Sequence, residues 1–505
     1  MQAPSAGPRV PTLGEALLPV GCLMGLLALA VIDLNTLPPD IPLLSPLLRL
    51  LARIPYFGGV LETSVPVQIP LVGAAAVAAL MTVRLGWRWA DIEAAMADGI
   101  RLSLGAVLIL LAVGMLIGTW MAGGTVPLLI LYGLKLLSPD YFLVATCAVC
   151  AVVSLVTGSS WTTAGTVGVA FIGIGAGLGV PVPMVAGAII SGAYFGDKMS
   201  PLSETTNLAP AAAGVDLFVH VRHMAWTTGP SLVIALLLYW LLGRQYGGTP
   251  DLAAVAAITD GLAAGYRLTP WLLLPPVAVG LLVILRLPAL PAILLGAVLG
   301  GVVAGWCQGM PFGEVLAAAY GGYRAETGVA VVDDLLSRGG MESMYGTIGL
   351  ILCALSFGGI MEKSGMLGVI AAAILRLARG TGSLVAATLG SCIGLNVIAS
   401  DQYLAIVVPG RMYREAYRRA GLHPKNLSRA LEDAGTLTSP LIPWNSCGAY
   451  MTATLGVFSF AYLPFAFLNL INPLVSALYG WTGWTLTRAP GESPPEPAGG
   501  GAKPD

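Results

Sequence analysis

The sequence predicts an all-α polytopic membrane protein of about 10–13 transmembrane helices, on three observations. Of its 505 residues 56% are hydrophobic and only 10% charged, where a soluble globular protein carries about 25%. Mean hydropathy is +0.82. The apolar residues gather into successive runs, and at about 20 residues per crossing they suffice for at most about 14 spans. Basic and acidic residues nearly cancel, 25 against 26, for a net charge of −1. The low charged content together with the high mean hydropathy excludes a soluble enzyme, a disordered chain and a nucleic-acid binder, which needs a basic surface.

Residues 1–12 form an N-terminal tail with one basic residue, Arg9. The first run, 13–34, is too long for a signal-peptide core and contains Glu15, so it reads as a span although Ala28-Leu29-Ala30 resembles a cleavage site. Further apolar runs at 65–83, 102–121, 126–137, 142–156, 166–180, 184–195 and 226–242 complete a first half, 13–243. Runs at 271–285 and 287–306, with polar connections at 243–269 and 308–345, make up a linking region, 244–344. The second half, 345–487, holds runs at 348–361, 367–377, 384–398 and 450–479, the last long enough for two spans. Several runs are too short to cross alone unless joined through a break. Residues 488–505, rich in proline and glycine, are expected to be a disordered tail. Cys147 and Cys150 form a C-x-x-C inside an apolar run without a second ligand pair at zinc spacing, so they read as small packing residues. Gly192-x-x-x-Gly196 likewise reads as close helix packing.

Four polar islands interrupt the apolar runs. In the first half they are 157–166, with six hydroxyls in ten residues, and 197–207, which contains Asp197, Lys198, Ser200, Pro201, Glu204, Thr205 and Asn207. In the second half they are 396–402, with Asn396, Ser400, Asp401 and Gln402, and 432–446, which runs from Glu432 and Asp433 to Asn445 and Ser446. Both later islands contain Ser-Pro-Leu followed by Asn. The spacings agree as well: Ser159 to Ser200 is 41 residues and Ser400 to Ser439 is 39. This is an internal repeat, and its charges indicate that the copies are inverted. Residues 167–195 carry no Lys or Arg, whereas 410–429 carry Arg411, Arg414, Arg418, Arg419, Lys425 and Arg429. The positive-inside rule places loop 410–429 in the cytoplasm, and nothing holds the first connection there.

Non-helical backbone survives in hydrocarbon only where it lines a protein-enclosed cavity. Paired broken segments in two halves therefore point to a transport site near the midplane. Pro201, Pro440 and Pro443 break helices, the freed helix ends project their dipoles inward, and the surrounding hydroxyls and amides offer the neutral oxygens a hard cation prefers. An acid inside a membrane is a functional candidate by default. Here the candidates are Asp197, Glu204, Asp401, Glu432 and Asp433, with Asp197 and Glu204 as the leading pair. The plainer reading of each is an interfacial acid or a salt bridge, and the basic connection nearby favours that reading for Glu432 and Asp433. Burial favours the neutral form of a carboxyl, so such a group holds a proton or a cation but not both. Alternating access then turns that competition into exchange. Lys198, next to Asp197, falls on another helix face and is expected to pair with Glu204 or to compete for the cavity.

Gly192-Ala-Tyr-Phe-Gly-Asp-Lys-Met-Ser-Pro-Leu-Ser-Glu-Thr-Thr-Asn-Leu-Ala-Pro210, continued by Asp216-Leu-Phe-Val-His-Val-Arg-His-Met224, resembles the signature region of the NhaC-type Na⁺/H⁺ antiporters, as does Gly158-Ser-Ser-Trp-Thr-Thr-Ala-Gly-Thr166. The resemblance implies a bacterial cytoplasmic-membrane transporter of the wider ion-transporter superfamily, with two inverted repeats that each hold a re-entrant hairpin and a broken helix. It implies Na⁺/H⁺ exchange, with exchange of organic acids such as malate and lactate, or of amino acids, as the alternative. The ion- and substrate-binding candidates are then Ser159, Thr162, Asp197, Ser200, Glu204, Thr205 and Asn207 with Ser400, Asp401 and Asn445, and Na⁺ is assigned to Asp197 and Glu204. The expected partners are Na⁺, protons and the lipid bilayer, with a homodimer compatible and no cofactor. An intramembrane enzyme is disfavoured, since no G-x-S-x-G, H-E-x-x-H or phosphate-binding loop is present. His220 and His223 read as the solvated face of a surface helix, Trp444, Trp481 and Trp484 as an interfacial belt, and Arg411 to Arg429 as a lipid-facing amphipathic helix.

Overall fold

Prolines and glycines set where the helices of this chain begin and stop. The computed structural model describes residues 8–31, 66–246, 252–285, 287–329, 332–333 and 336–489, and every regular element among them is helical. The expected tail beyond 489 lies outside the described residues. In chain order come α1 (Leu13–Val31), α2 (Gln68–Arg84), α3 (Trp89–Gly123), α4 (Thr125–Leu136) and α5 (Pro139–Thr157). Next, α6 (Ser160–Thr163) leads through a π-helical turn, Ala164–Gly168, into α7 (Val169–Gly177). The first half closes with α8 (Val182–Met199), α9 (Glu204–Ala213) and α10 (Leu217–Gly243). The link holds α11 (Leu252–Gly265), α12 (Leu274–Ile284), α13 (Ala289–Gln308) and α14 (Phe312–Gly321). Helices α11 and α14 form inside stretches expected as polar connections, because both are rich in alanine, the strongest helix former.

The second half begins with α15 (Tyr345–Lys363), α16 (Met366–Leu375), α17 (Thr381–Ile398) and α18 (Gln402–Arg419). Helix α19 (Pro424–Leu431) runs into a second π-helical turn, Glu432–Thr436, and a 3₁₀ turn, Ser439–Leu441, before α20 (Ser446–Leu455), α21 (Ser459–Tyr462) and α22 (Phe467–Thr482). Six helices among the described residues are long and apolar enough to cross a membrane, and a pair bent by 60°, Ser459–Phe465 with Phe467–Thr482, makes a seventh. The protein is thus a multi-pass membrane protein. The expected 10–13 spans are approached only by counting shorter apolar helices such as α2, α4 and α16, because breaks divide the remaining runs.

The two halves repeat one succession of elements. Helices α5 and α17, of 19 and 18 residues, are each followed by a left-handed residue, Gly158 (φ 69°) at the cap of α5 and Ser400 (φ 59°) just after the Ala399 cap of α17. An N-cap follows in both, Ser159 and Asp401, whose side chains accept backbone N–H groups of the next turn. The chain then returns along the helix just left. Phe142, early in α5, meets Phe171 of α7 (centroids 6.1 Å apart), and Tyr413 and Tyr417, late in α18, bond with Ser391 and Thr388 of α17. After this hairpin comes a helix that breaks and restarts, α8 into α9 and α19 into α20, and the restarts are ten residues each. The first hairpin opens where a Cβ on Gly243 of α10 would fall 2.4 Å from the Asp140 carbonyl oxygen. The second opens near the other end of α10, where His220 bonds to Ser428. Hairpins entering from opposite ends of one spanning helix are compatible with inverted copies.

Close packing fixes the first hairpin to α8. A Cβ on Gly192 would fall 2.1 Å from the Cys147 carbonyl oxygen, and one on Gly196 2.3 Å from the Leu155 nitrogen. Cys147 and Cys150 are buried and free, in the packing role expected of them. Trp481 and Trp484 are exposed, as in an interfacial belt, but Trp444 is buried and its indole N–H donates to the Val397 carbonyl oxygen (2.8 Å). Trp444 lies in the break before α20, which carries it inward.

Candidate functional site

The first hairpin's tip is held by the acid that ends α8. Asp197 is 7% exposed. Its Oδ2 accepts from the backbone N–H (3.1 Å) and the hydroxyl (2.5 Å) of Ser160, and its Oδ1 accepts from the hydroxyl of Ser203 (2.5 Å), the N-cap position of α9. One carboxylate therefore joins a hairpin tip to both sides of a helix break. Free N–H groups at helix starts favour an anion there. Around it, the Ser159 hydroxyl receives the Thr162 N–H (3.1 Å) and hydroxyl (3.0 Å), and Thr205 bonds to Ser203 (3.2 Å). Ser200 is buried; its hydroxyl accepts the Leu202 N–H. The Thr206 hydroxyl satisfies the Asp197 and Lys198 carbonyl oxygens left over by the break.

The second half builds a matching junction. Asp401 Oδ1 caps α18 by accepting the N–H groups of Tyr403 (2.8 Å) and Leu404 (3.2 Å), and Oδ2 accepts the Ser446 hydroxyl (3.3 Å) at the start of α20. The Ser400 carbonyl oxygen takes the Ser446 N–H (2.9 Å), while the Ser400 hydroxyl is buried without a partner. The Asn445 amide donates to both the carbonyl and the side-chain oxygen of Asn396 (3.1 Å each) and caps α20 through Cys447 N–H. Asn396 in turn donates to the Gly435 carbonyl oxygen (2.7 Å), freed by the π-helical turn. The two junctions touch. Trp161 stacks on Tyr450 with centroids 4.1 Å apart, the Tyr450 hydroxyl donates to the Trp161 carbonyl oxygen (2.7 Å), and the Tyr403 hydroxyl donates to Glu204.

Several assignments change. Glu204 begins α9 as an exposed residue taken up by Tyr403, and shares no hydrogen-bond partner with Asp197. Asn207 is also exposed and bonds to the Pro201 and Ser203 carbonyl oxygens. Lys198 does not pair with Glu204. It is fully buried against Asp433, whose Oδ1 also accepts Thr227 (2.9 Å) and Asn472 (2.8 Å). Glu432 and Asp433 are fully buried, because α19 carries them inward from the basic connection, and Asp433 makes the salt bridges of the plainer reading with Lys198 and with Arg429 of that connection. His220 and His223 are buried rather than solvated, bonded to Ser428 (2.8 Å) and Asn426 (3.2 Å). Arg411, Arg414, Arg418 and Arg419 are exposed as expected of the basic helix, but Arg429 is buried, 3.9 Å from Asp433, and donates to Thr485 (2.8 Å). The segment around Thr485 straps α19. Thr487 exchanges hydrogen bonds with Asn426 and accepts the His423 N–H, and Leu422 pairs with Arg488. Missed in the sequence were Ser160, Ser203, Thr227 and Asn472. The first two lay inside recognised islands, whereas nothing in the apolar runs marks the others. No group of three or more His, Cys, Asp or Glu able to hold a metal ion occurs among the described residues.

The Na⁺/H⁺ antiporter family model matches residues 192–484. The chain is 42% identical over 417 residues to the Na⁺/H⁺ antiporter NhaC of Alkalihalophilus pseudofirmus, covering 82% of this chain and 90% of that protein. It is 41% identical over 419 residues to the malate-2H⁺/Na⁺-lactate antiporter of Bacillus subtilis, covering 83% and 90%. It is 39% identical over 497 residues to the arginine/ornithine antiporter ArcD of Halobacterium salinarum, covering 97% and 96%.

Proposed function

The chain belongs to the Na⁺/H⁺ antiporter family, and from that premise we propose that it exchanges Na⁺ or Li⁺ for H⁺ by alternating access, in a bacterial cytoplasmic membrane. The observation that carries the reading is the Asp197 carboxylate, enclosed between the first hairpin tip and the α8–α9 break with hydroxyls on both of its oxygens. A hydroxyl that donates to a carboxylate can turn its lone pairs to a cation instead. Asp197 with Ser160 and Ser203 therefore offers the oxygen ligands a hard cation uses, and protonation of Asp197 removes the charge that would hold it. Ser159, Thr162, Ser200 and Thr205 supply the surrounding hydroxyls. Asp401, Ser400 and Asn445 serve the equivalent junction, and Glu204 stands at the exposed approach with Asn207.

Each half supplies one hairpin and one broken helix, and in this reading the halves are inverted, so access alternates between the two hairpin mouths. The exposed arginines of α18 support a cytoplasmic position for the second mouth, with 410–429. A second reading, exchange of small organic acids or amino acids, has support in the malate-lactate and arginine/ornithine relatives, whose identities nearly equal that of the Na⁺/H⁺ antiporter. Purified protein in liposomes separates the two. An imposed pH gradient should drive Na⁺ or Li⁺ flux. Absence of that flux, with malate, lactate or arginine uptake in its place, would move the assignment to the second reading.

A further inference from the structure

Glu432 opens the π-helical turn that follows α19 and is fully buried. Neither of its oxygens meets a donor in hydrogen-bond geometry, although the Thr436 hydroxyl stands close by. Buried polar atoms are nearly always paired, and the exceptions inside a membrane are costly. This one has company: Thr436 Oγ1, Asn469 Oδ1, Asn472 Oδ1 and Ser476 Oγ are also buried without partners. Two of them, Thr436 Oγ1 and Ser476 Oγ, are hydroxyls that can donate or accept, and two, on Asn469 and Asn472, are amide oxygens that only accept. The amide nitrogens of Asn469 and Asn472 donate to the Leu437 carbonyl oxygen and Asp433. The turn and the side of α22 packed on it thus hold uncommitted groups suited to either form of a carboxyl: a neutral one can donate its O–H to a free oxygen, and an ionised one can accept from a hydroxyl.

The charges nearby allow either state. Lys198, Asp197 and Asp433 are close enough to act on Glu432 through space. Lys198 and Arg429 both face Asp433, and Lys198 also acts on Glu432, so while Asp197 holds a proton Glu432 can lose its own and leave two positive charges against two negative. From α17 the facing titratable group is Cys392. From α10 they are His220 and His223, which act on the Lys198–Asp433–Arg429 group. On α18, Tyr413 and Tyr417 are tied to Ser391 and Thr388, and on α9 Glu204 is turned to Tyr403.

We propose that Glu432 is a second proton-carrying carboxyl of the transport cycle, separate from Asp197, which gains and loses a proton while Lys198 stays beside it as counter-charge. The proposal rests on the proton-coupled reading above. Two experiments test it. In liposomes, Glu432→Gln should lower the number of protons exchanged per Na⁺, read from the reversal potential, and flatten the pH profile. Glu432→Asp should restore part of both. An unchanged ratio and profile in Glu432→Gln would overturn the proposal, whereas loss of all flux in the unsubstituted protein would instead sink the antiport reading. The second experiment needs neither transport nor a variant. Dicyclohexylcarbodiimide attacks protonated carboxyls in apolar surroundings, so peptide mapping of the treated full-length protein should find adducts on Glu432 at acidic pH that fade as pH rises. Adducts on Asp197 without any on Glu432 would count against the proposal.

Discussion

Tyr450 of α20 lies flat against Trp161 of α6, with ring centroids 4.1 Å apart, and donates its hydroxyl to the Trp161 carbonyl oxygen. The tip of one hairpin is thereby fastened to the restarted helix of the other half. A stacked pair contributes about 0.5–1.5 kcal/mol beyond buried area, and a net hydrogen bond about 1 kcal/mol. Tyr450→Phe keeps the stack and loses only the bond. It should therefore destabilise by about 1 kcal/mol, while Tyr450→Ala should cost about 3–5 kcal/mol. Thermal unfolding in detergent, measured for both variants, checks the order.

Asp197→Asn should abolish exchange while leaving expression and thermal stability near those of the unsubstituted protein. The amide keeps the shape, its single oxygen can still accept from the Ser160 N–H and hydroxyl, and its NH2 can donate to the Ser203 hydroxyl, but it cannot trade a proton for a cation. Sodium-dependent dequenching in everted vesicles is the measurement, and unchanged dequenching would remove Asp197 from the site.

Lys198 and Asp433 form a fully buried pair. Breaking such a pair by removing one partner costs about 3–5 kcal/mol, whereas replacing both by apolar residues is often neutral. Lys198→Met and Asp433→Leu should each destabilise strongly, and the double variant should recover much of the loss. Melting temperatures of the three proteins decide this, and a double variant no better than the singles would show that the pair is not an isolated unit.

Glu204 and Tyr403 join the two halves at an exposed position. Glu204→Gln and Tyr403→Phe should each shift the pH profile of exchange without abolishing it. Their effects should not add in the double variant, because they remove one shared contact. Additive shifts would assign the two residues separate roles.

Gly192→Leu and Gly196→Val should prevent folding, since even a Cβ would overlap the backbone of α5 at 2.1 Å and 2.3 Å. Gly229→Ala, where a Cβ meets nothing within 4 Å, is the matched control. Yield of monodisperse protein distinguishes them.

The membrane class, the islands and the duplicated succession of elements were legible because composition and breaks in apolar runs are local properties. The position of Asp197 at the edge of such a break was legible the same way. The fate of Lys198 was not: its partner lies 235 residues away, and no spacing rule links α8 to a π-helical turn. His220 and His223 were misplaced for a related reason. A polar stretch of helix reads as solvated until Asn426 and Ser428 arrive from the other half to bond with it. That Glu204 is exposed and bonded to Tyr403 was not legible either, because sequence alone does not show which side of a break faces inward.

The strap around Thr485 has a practical consequence for anyone shortening this chain. Trimming to Thr482 would strip Arg429 of its hydroxyl acceptor and leave the backbone N–H of His423 and the Asn426 amide without Thr487. A guanidinium would then sit in the apolar interior with only a distant carboxylate for company. Affinity tags and fluorescent fusions therefore belong after Ala489, whose own N–H still closes on the Gly421 carbonyl oxygen (3.0 Å).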